Sequence, residues 1–332
     1  MRSNSQIVLV SHPQGMVKKS DMTLQTTTLP DHLPEGHVLV EIAYISLDPA
    51  IRGWLNPGTT YIKGVQIGEV VRTFSAGKII ESKNTNYQAG EYVWGLLGAQ
   101  QYAIHDGQGL VKADLSKGPL SWHLGILGMP GMTAYFGLLE KGKPKAGETV
   151  LISGAAGIVG STVGQIAKRK GCRVVGIAGG AAKCKFLTEQ MGFDAAIDYK
   201  NEDVLAGIQR TCPDKVDIFY DNVGGDILDA ALAHLALGAR VVLCGSISQY
   251  NSTDPRGPKN YMKIVTARGY ITGIIVFDYV SRYAEGIADI GQWLADGQMH
   301  VQEDIDEGLE NFSSTLLKLY TGKNFGKLLL KI

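Results

Sequence analysis

The sequence predicts a mixed α/β protein in which a doubly wound parallel sheet is combined with a second, mostly β domain. The length of 332 residues favours about two domains. After residue 149, short apolar segments alternate with helix-compatible segments, which is typical of a parallel sheet covered by helices. Before about residue 125, short alternating segments are separated by glycine, proline and asparagine, which is typical of antiparallel β structure.

The composition is that of a neutral globular protein. Hydrophobic residues make up 45% of the chain and charged residues 19%, which suits a sizeable buried core. Since 32 lysine and arginine residues balance 32 aspartate and glutamate residues, the charge gives no argument for binding to nucleic acid or an acidic membrane. The N-terminus lacks the apolar segment of a signal peptide, and no run of about 18 apolar residues predicts a membrane span. We therefore expect a cytoplasmic protein with neither a nucleic-acid nor a membrane partner.

The cysteines do not indicate a metal site. Cys172, Cys184, Cys212 and Cys244 are scattered, with no CxxC pair and no spacing typical of metal ligands. Cys172 and Cys244 lie within or beside apolar segments, where buried reduced thiols are common. We expect no metal ion and a reducing compartment.

The first domain is predicted to begin with residues 1–124. Residues 37–46 alternate with the period of two that is typical of a β-strand. The further strand candidates are residues 68–72, 76–81, 92–97 and 101–105. Because turn-forming residues separate them, we predict a small, partly closed antiparallel β domain.

The second domain is predicted for residues 125–297. Residues 121–141 are helix-compatible, with an interruption at residues 129–131. The strands of the alternating series are predicted at residues 150–152, 172–177, 195–198, 216–220, 240–244 and 269–276, with helices at 181–191 and 279–295. The tail breaks the series, with a strand at 300–303, a helix at 308–320 and a strand at 327–330. We interpret the tail as a return to the first domain, which then comprises residues 1–124 and 298–332.

The segment TVLISGAAGIVGSTVG, residues 149–164, organises the second domain. A short apolar strand is followed by Gly154, Gly157 and Gly160, which open a helix. Glycines let the backbone turn tightly and approach a pyrophosphate, while the helix N-terminus offers N–H groups and a partial positive charge. A glycine pattern alone is a weak signal, but this order of strand, turn and helix predicts a dinucleotide-binding Rossmann domain.

The residues after the second strand of this domain bear on the choice between NAD and NADP. An NAD enzyme usually has an Asp or Glu about 20 residues beyond the glycine turn, where it binds the ribose 2′-OH. Here residues 176–180 read GIAGG, without an acid, and Lys183 follows. A cation at this position suits a 2′-phosphate. On spacing alone, a solvated helix residue explains Lys183 equally well.

Polar residues follow the fourth and fifth strands. The fourth ends in DNVGG, residues 221–225, and the fifth in CGSISQY, residues 244–250. The carboxyl ends of strands in a doubly wound sheet face the ligand crevice, so these residues are functional candidates. An alternative explanation for Asn222 is that it is an ordinary turn residue, and for Tyr250 that it is an aromatic side chain packed in a loop.

Five motifs in a fixed order connect these candidates with a known family. They are GMPGMTAYFGL (128–138), SGAAGIVGS (153–161), GQIAK (164–168), DNVGG (221–225) and CGSISQYN (244–251). SLDPAIRGW (46–54) and GKNFGK (322–327) extend the match over nearly the whole chain. The sequence resembles the medium-chain dehydrogenase/reductase superfamily and, within it, the zinc-independent leukotriene/prostaglandin reductases and alkenal double-bond reductases.

The resemblance implies an NADPH-dependent oxidoreductase that reduces the carbon–carbon double bond of an α,β-unsaturated ketone or aldehyde. It further implies a GroES-like first domain, a homodimer and no metal, since the Cys/His ligands and four-cysteine lobe of zinc-dependent relatives are missing. Carried over by motif, the residues that bind the pyrophosphate are Gly154, Ala155, Ala156, Gly157, Ile158 and Val159. Those at the 2′-phosphate are Lys183 and Tyr199, and those near the nicotinamide are Met129 and Thr133. The remaining cofactor-binding residues are Asn222, Cys244, Gly245, Ser246, Ile247, Ser248, Gln249, Tyr250, Ile274, Ile275, Val276 and Asn324.

The resemblance also suggests the catalytic groups. Hydride transfer to the β-carbon makes negative charge grow on the carbonyl oxygen, and Tyr250 and Tyr61 are the suggested hydrogen-bond donors to it. Two departures leave the substrate preference open: the family's DPYMR reads DPAIR at residues 48–52, and its YITP reads YIKG at residues 61–64. We expect Asp48 and Arg52 to organise the loop.

Three other activities stay open at this point. Quinone reduction occurs in zinc-free members of the same superfamily, and oxidation of a secondary alcohol is a further enzymatic alternative. The third is a low-turnover NADPH-binding protein with a structural or regulatory role. Enones, quinones and alcohols tested side by side discriminate between them.

Overall fold

The computed structural model describes residues 2–332. The strands are β1 (Ser3–Leu9), β2 (Met22–Thr28), β3 (Val38–Ser46), β4 (Ser75–Ser82), β5 (Tyr92–Gly95), β6 (Tyr102–His105), β7 (Val111–Lys112), β8 (Thr149–Ser153), β9 (Arg173–Ala178), β10 (Ala195–Asp198), β11 (Val216–Asp221), β12 (Leu235–Leu243), β13 (Tyr270–Gly273), β14 (Glu303–Glu307) and β15 (Lys327–Lys331). The α-helices are α1 (Ala50–Trp54), α2 (Met129–Phe136), α3 (Ile158–Arg169), α4 (Ala181–Glu189), α5 (Val204–Thr211), α6 (Gly225–Leu232), α7 (Lys263–Ala267), α8 (Tyr283–Ala295) and α9 (Phe312–Tyr320). Within residues 2–332, no helix has both the length and the hydrophobicity that a membrane crossing requires.

The chain folds into two compact units. The first comprises residues 2–125, Glu303–Asn324 and Leu328–Ile332, and the second comprises Ile126–Gln302 and Phe325–Lys327. The domain bounds drawn from the sequence stay a prediction, and the unit bounds differ from them at residues 125, 298–302 and 325–327.

The first unit is built on a mostly antiparallel sheet with the order β14-β15-β3-β4-β5-β7, in which β6 also pairs with β3. The core of the sheet is apolar, since Val40 and Ile45 of β3 and Ile79 of β4 are fully buried. The remaining strands, β1 and β2, pair with each other in a separate antiparallel ribbon. Five of the seven β2 residues are exposed, so its sequence MTLQTTT has no clear period-two signal and was not predicted as a strand.

Three predicted elements of this unit are wrong or shifted. Residues 68–72 form no strand, although Val70 makes one isolated bridge to Val8. The strand predicted at residues 300–303 begins only at Glu303. The helix predicted from residue 308 begins at Phe312, because Gly308 adopts a left-handed conformation and a short 3₁₀ turn, Leu309–Asn311, follows it.

The second unit contains a six-stranded parallel sheet with the order β10-β9-β8-β11-β12-β13, which confirms the predicted doubly wound fold. All five residues of β8 are buried. The chain first runs from β8 outward to β10 and then returns with β11 on the other side of β8. The switch in strand order therefore lies between β8 and β11, and ligands of such sheets bind beside the carboxyl ends of the strands at this point.

Four elements of this unit differ from their predicted form. Strand β13 ends at Gly273 instead of residue 276, and α8 begins at Tyr283 instead of residue 279, because a 3₁₀ segment, Val276–Arg282, precedes it. Strand β12 begins at Leu235 instead of residue 240, and Gly238, with φ of +77°, bends it. No interruption occurs at residues 129–131, because Pro130 lies in the first turn of α2, where a missing N–H costs nothing. The helix continues beyond α2 as a π-helical turn, Gly137–Gly142.

Candidate cofactor and active site

The glycine turn joins β8 to α3 at the carboxyl edge of the parallel sheet. Gly154 has a φ of +59°, a conformation that residues with a side chain rarely adopt. Gly160 is needed for close packing, since a Cβ there would lie 2.6 Å from the carbonyl oxygen of Gly154. The turn is tied to the neighbouring strand by the N–H of Ala155, which donates to the carbonyl of Ile177 at 3.1 Å. These contacts fix the N-terminus of α3 beside the end of β8.

Gly157 is not required by the fold in the same way. Its φ is −79°, and a Cβ on it would approach no group of the chain more closely than 3.4 Å. It is the N-cap of α3, whose first N–H groups, beginning with Ile158, have no intrahelical acceptor. A glycine here keeps the approach to these groups open, and they carry the positive end of the helix dipole. The arrangement fits a pyrophosphate.

A segment distant in sequence lies along the same turn. The N–H of Gly326 donates to the carbonyl of Ala156 at 3.2 Å, and Gly326 forms an isolated parallel bridge with Gly157. Gly326 itself is left-handed and has no room for a Cβ, which would lie 2.2 Å from the carbonyl oxygen of Gln302. Asn324, a predicted cofactor residue, directly precedes this segment in the chain. Sequence reasoning missed Gly326, whose signal was the second glycine of GKNFGK.

Asp221 holds the carboxyl ends of β8 and β11 together. It is fully buried, and its carboxylate accepts hydrogen bonds from Oγ of Ser153 at 2.6 Å and from the N–H groups of Val223 and Gly224 at 3.0 Å. Burial raises the pKa of Asp221, and these three donors oppose the increase. The sequence motif DNVGG thus forms a loop organised around its own aspartate. Asp221 was not among the cofactor residues predicted from the sequence, although it begins this motif.

Asn222 serves the same junction. Its backbone N–H donates to Oγ of Ser153 at 2.8 Å, and its side-chain amide donates to the carbonyl of Ser153 at 2.7 Å. Its Cβ is also one of the two nearest atoms that a side chain on Gly154 would meet, at 3.4 Å. The predicted cofactor residue therefore lies directly against the glycine turn.

The loop after β12 is anchored on the DNVGG loop. The N–H groups of Cys244 and Gly245 donate to the carbonyl of Asp221 at 2.8 and 3.1 Å, and that of Ser248 donates to the carbonyl of Val223 at 3.1 Å. Burial raises the pKa of the Cys244 thiol to about 12, so it is not a thiolate at neutral pH. The loop that contains residues 244–250 is thereby held at the carboxyl edge of the sheet, beside the switch point.

Tyr250 folds back over the end of β12. Its hydroxyl oxygen accepts a hydrogen bond from the N–H of Ser246 at 3.1 Å and would lie 2.9 Å from a Cβ on Gly245. In this bond the hydroxyl oxygen is the acceptor. A hydroxyl that accepts a hydrogen bond from an N–H group is polarised by it, which makes its own O–H a stronger donor.

The other predicted catalytic tyrosine, Tyr61, belongs to the first unit. Its hydroxyl oxygen accepts a hydrogen bond from the indole Nε1–H of the buried Trp54 at 2.9 Å. Burial raises the pKa of Tyr61, while Trp54 and Arg72 act to lower it. The Tyr61 residue is still 49% exposed, so its ring is accessible to a ligand.

Arg52 connects its own segment, residues 48–52, with the chain at residues 13–15, which is the organising role expected from the sequence. Only 4% exposed, it donates to the carbonyl of Pro13 at 3.1 Å and to that of Gly15 at 3.0 and 3.1 Å. Asp48 accepts a hydrogen bond from the hydroxyl of Ser46. Ala50, which stands where the resembling family has a tyrosine, is the first residue of α1.

The predicted 2′-phosphate residues lie after neighbouring strands. Strand β9 ends at Ala178, and Lys183 lies in the first turn of α4. Tyr199 directly follows β10, and its ring packs against Gly179, where a Cβ would come within 2.8 Å of ring atoms. The side chain of Asp198 points toward the turn before α4, where its carboxylate accepts a hydrogen bond from the N–H of Gly180 at 2.7 Å. The structure thus brings Tyr199 onto the turn that leads to the helix of Lys183.

The residues predicted near the nicotinamide are held by backbone contacts. The hydroxyl of Thr133 donates to the carbonyl of Met129 at 2.8 Å, and the carbonyl of Thr133 accepts the hydroxyl of Tyr220 at 2.8 Å.

Ile274 follows β13, and its N–H donates to the carbonyl of Leu243 at 3.1 Å. Among the next residues Val276 is buried and Ile275 is 39% exposed, so Ile275 has the more accessible side chain. In residues 2–332, no group of three or more His, Cys, Asp or Glu side chains is arranged to hold a metal ion.

Comparison with known proteins places this chain in a family. The model for the N-terminal domain of oxidoreductases matches residues 5–113, and the model for zinc-binding dehydrogenases matches residues 159–291. The chain is 42% identical to the NADPH-dependent curcumin reductase of Escherichia coli, over 99% of this chain and 97% of that protein. It is 39% identical to the NADP(+)-dependent 2-alkenal reductase of Nicotiana tabacum, over 98% of this chain and 96% of that protein.

A solved structure gives the same assignment. The structure of CurA from Vibrio vulnificus in complex with NADPH is 41% identical, with a TM-score of 0.93 and coverage of 98% of each chain. The chain therefore belongs to the zinc-independent medium-chain dehydrogenase/reductase family, among relatives that include curcumin and 2-alkenal reductases.

Proposed function

We propose that this protein is an NADPH-dependent oxidoreductase that reduces the carbon–carbon double bond of α,β-unsaturated ketones and aldehydes. The observation that carries the proposal is the carboxyl edge of the parallel sheet. There the glycine turn, the DNVGG loop and the 244–250 loop are tied together at the switch point. A relative at 42% identity is an NADPH-dependent curcumin reductase, one at 39% is a 2-alkenal reductase, and one at 38% is prostaglandin reductase 1.

The residues carried over from the family motifs would hold NADPH from one end to the other. The first N–H groups of α3 and the open approach at Gly157 would bind the pyrophosphate. Lys183 and Tyr199 would bind the adenosine 2′-phosphate, and Met129 and Thr133 would lie near the nicotinamide. The loop of residues 244–250, Ile275 and Asn324 would line the rest. When bound, NADPH supplies the hydride that reduces the β-carbon, and the protein supplies orientation and electrostatics.

The proposed catalytic residues are Tyr250 and Tyr61. As the β-carbon is reduced, negative charge develops on the substrate's carbonyl oxygen, and a hydrogen-bond donor aimed at that oxygen lowers the barrier. Each hydroxyl accepts an N–H, from Ser246 or from Trp54, which fixes the position of its oxygen and polarises its O–H. The α-carbon then takes a proton from a tyrosine or from water.

A substrate panel tests the proposed activity. With NADPH, we expect consumption with enals and enones, at rates well above those with ortho-quinones or with secondary alcohols and NADP⁺. NADH should be a much poorer cofactor. Faster reduction of quinones than of enones would support quinone reduction instead. If NADPH binds, as shown by fluorescence quenching, but no substrate consumes it, the protein has a structural or regulatory role.

We further propose a homodimer in a cytoplasmic setting. The edge strand β13 exposes Tyr270 and Ile271, which are 45% and 37% accessible, and the nearby α7 exposes Val265, which is 61% accessible. An exposed apolar edge strand is a template for pairing with a second copy. The four cysteines are free thiols, which are stable in a reducing compartment.

A further inference from the structure

Asp198 lies between the turn that leads to Lys183 and the loop that contains Tyr199. It is the last residue of β10, and its Oδ1 accepts the N–H of Gly180 at 2.7 Å and that of Lys200 at 3.1 Å. Its Oδ2 accepts the side-chain amide of Asn201 at 2.7 Å. One carboxylate thus binds the turn before α4 and the loop after β10.

These two segments set the distance between Lys183 and Tyr199. Gly180 is the N-cap of α4, three residues before Lys183, and its φ of +98° directs the chain into the helix. On the other side, the N–H of Tyr199 donates to the carbonyl of Ala178 at 3.2 Å. The ring of Tyr199 also packs against Gly179. Without the bridge through Asp198, the turn before α4 would lose the hydrogen bond that Gly180 donates to the end of β10, next to Tyr199.

We propose that Asp198 is a positioning residue that determines the preference for NADPH over NADH. It holds the turn of Lys183 and the loop of Tyr199 at the separation that a 2′-phosphate requires, without touching the cofactor itself. This inference depends on the proposed function, because it assumes that these two residues bind the 2′-phosphate.

The charge of Asp198 acts in the opposite direction. Burial acts to raise the pKa of Asp198, but the hydrogen bonds from Asn201, Gly180 and Lys200 outweigh it and lower that pKa. The group is therefore an anion at neutral pH, and an anion by itself repels a phosphate. If charge dominated, removal of the carboxylate would strengthen NADPH binding. If positioning dominates, removal weakens it.

Equilibrium binding to the full-length protein separates the two effects. For Asp198→Ala, we expect the Kd of NADPH to rise about tenfold or more, because bonds to a charged group are lost. The Kd of NADH should change by less than about threefold, since NADH has no 2′-phosphate. Binding of 2′,5′-ADP should weaken in the same way as that of NADPH, while binding of 5′-AMP should not. Asp198→Asn retains an oxygen for the two backbone N–H groups and should restore most of the preference.

Asp194, which directly precedes β10 at its other end, provides a matched control. Its Oδ2 accepts the N–H of Val174 at 2.7 Å, and its Oδ1 pairs with Lys168 at 2.8 Å, so it connects β10 with the opposite end of β9. Asp194→Ala should lower the thermal midpoint but leave the ratio of the two Kd values unchanged. An equal change of both Kd values in Asp198→Ala, or stronger NADPH binding, would overturn the positioning role.

Lys183→Ala distinguishes failure of this inference from failure of the proposed function. If Lys183→Ala abolishes the preference while Asp198→Ala does not alter it, the 2′-phosphate assignment stands and the role of Asp198 is wrong. If the unmodified protein binds NADPH and NADH equally, both are wrong. In the Lys183→Ala background, Asp198→Ala should have less than its separate effect, because residues that act through each other are not additive.

Discussion

At the scale of single residues, the two proposed catalytic tyrosines share one hydrogen-bonding pattern. Tyr250 accepts the backbone N–H of Ser246, and Tyr61 accepts the indole N–H of Trp54. The sequence could suggest the tyrosines by motif, but not these donors, because the type of residue gives no information on its partner. For Tyr61 the donor, Trp54, lies seven positions earlier in the chain, and for Tyr250 the donor is a main-chain N–H group.

Tyr250→Phe tests the first of these hydroxyls. We expect the kcat for enone reduction to fall by about a hundredfold to a thousandfold, because a donor to the developing oxyanion is lost. The Kd of NADPH, measured by fluorescence quenching, should stay within about threefold of its original value. Tyr261→Phe is the control, since this residue lies in the same unit and is 55% exposed. Unchanged turnover in Tyr250→Phe would remove it from the mechanism.

At the scale of elements, the glycine turn is held in place by its neighbours as well as by its own sequence. Ser153 ends β8, and its hydroxyl donates to the buried carboxylate of Asp221 at the end of β11. The same oxygen accepts the N–H of Asn222. Two parallel strands are therefore joined at their carboxyl ends, at the position where the pyrophosphate is proposed to bind.

Ser153→Ala measures this junction. We expect a loss of about 1–3 kcal/mol in the free energy of unfolding, because the buried Asp221 carboxylate loses a donor. Urea denaturation followed by fluorescence gives the value. Ser161→Ala is a suitable control, since Ser161 is also buried but donates only within its own helix, to the carbonyl of Ile158 at 3.3 Å. Equal losses in the two variants would contradict the role given to Ser153.

At the scale of the whole molecule, the proposed homodimer depends on the exposed edge strand β13 of the parallel sheet. Strand β13 has β12 on one side only, and Ile271 on it is 37% exposed. An edge strand with exposed apolar side chains can pair with a second copy of the chain.

Ile271→Lys tests the proposed homodimer. Light scattering after size exclusion should give twice the chain mass of 35.7 kDa for the unmodified protein and the single chain mass for the variant. A charge in the centre of an apolar interface would have to be buried without a partner, which opposes association. Leu24→Lys, at an exposed position of β2 in the first unit, should remain dimeric. A variant that stays dimeric would place the interface elsewhere, and a monomeric unmodified protein would exclude the dimer.

The sequence by itself determined the parallel sheet and its glycine turn. Strand β10, Ala195–Asp198, has the bounds that its apolar pattern predicted, and the position of Gly154 follows from the conformation that its turn requires. These features are local, since periodicity and backbone sterics act over a few residues. The family also followed from the sequence, because its motifs are short segments in a fixed order. The cofactor-binding and catalytic residues carried over from these motifs stay predictions.

Only the tertiary structure decided which distant residues meet at the turn. Gly326 reaches the carbonyl of Ala156 across 170 positions of sequence, and Asp221 reaches Ser153 across 68. The role of Asp198 likewise depends on which loops its carboxylate touches. Strand β2 was not predicted because five of its seven residues are exposed and have no core-facing period, and β1 was not predicted because its apolar residues are confined to its last three positions, Ile7, Val8 and Leu9. Contacts of this kind depend on how strands are ordered in a sheet, and the order of strands is not encoded in any one segment.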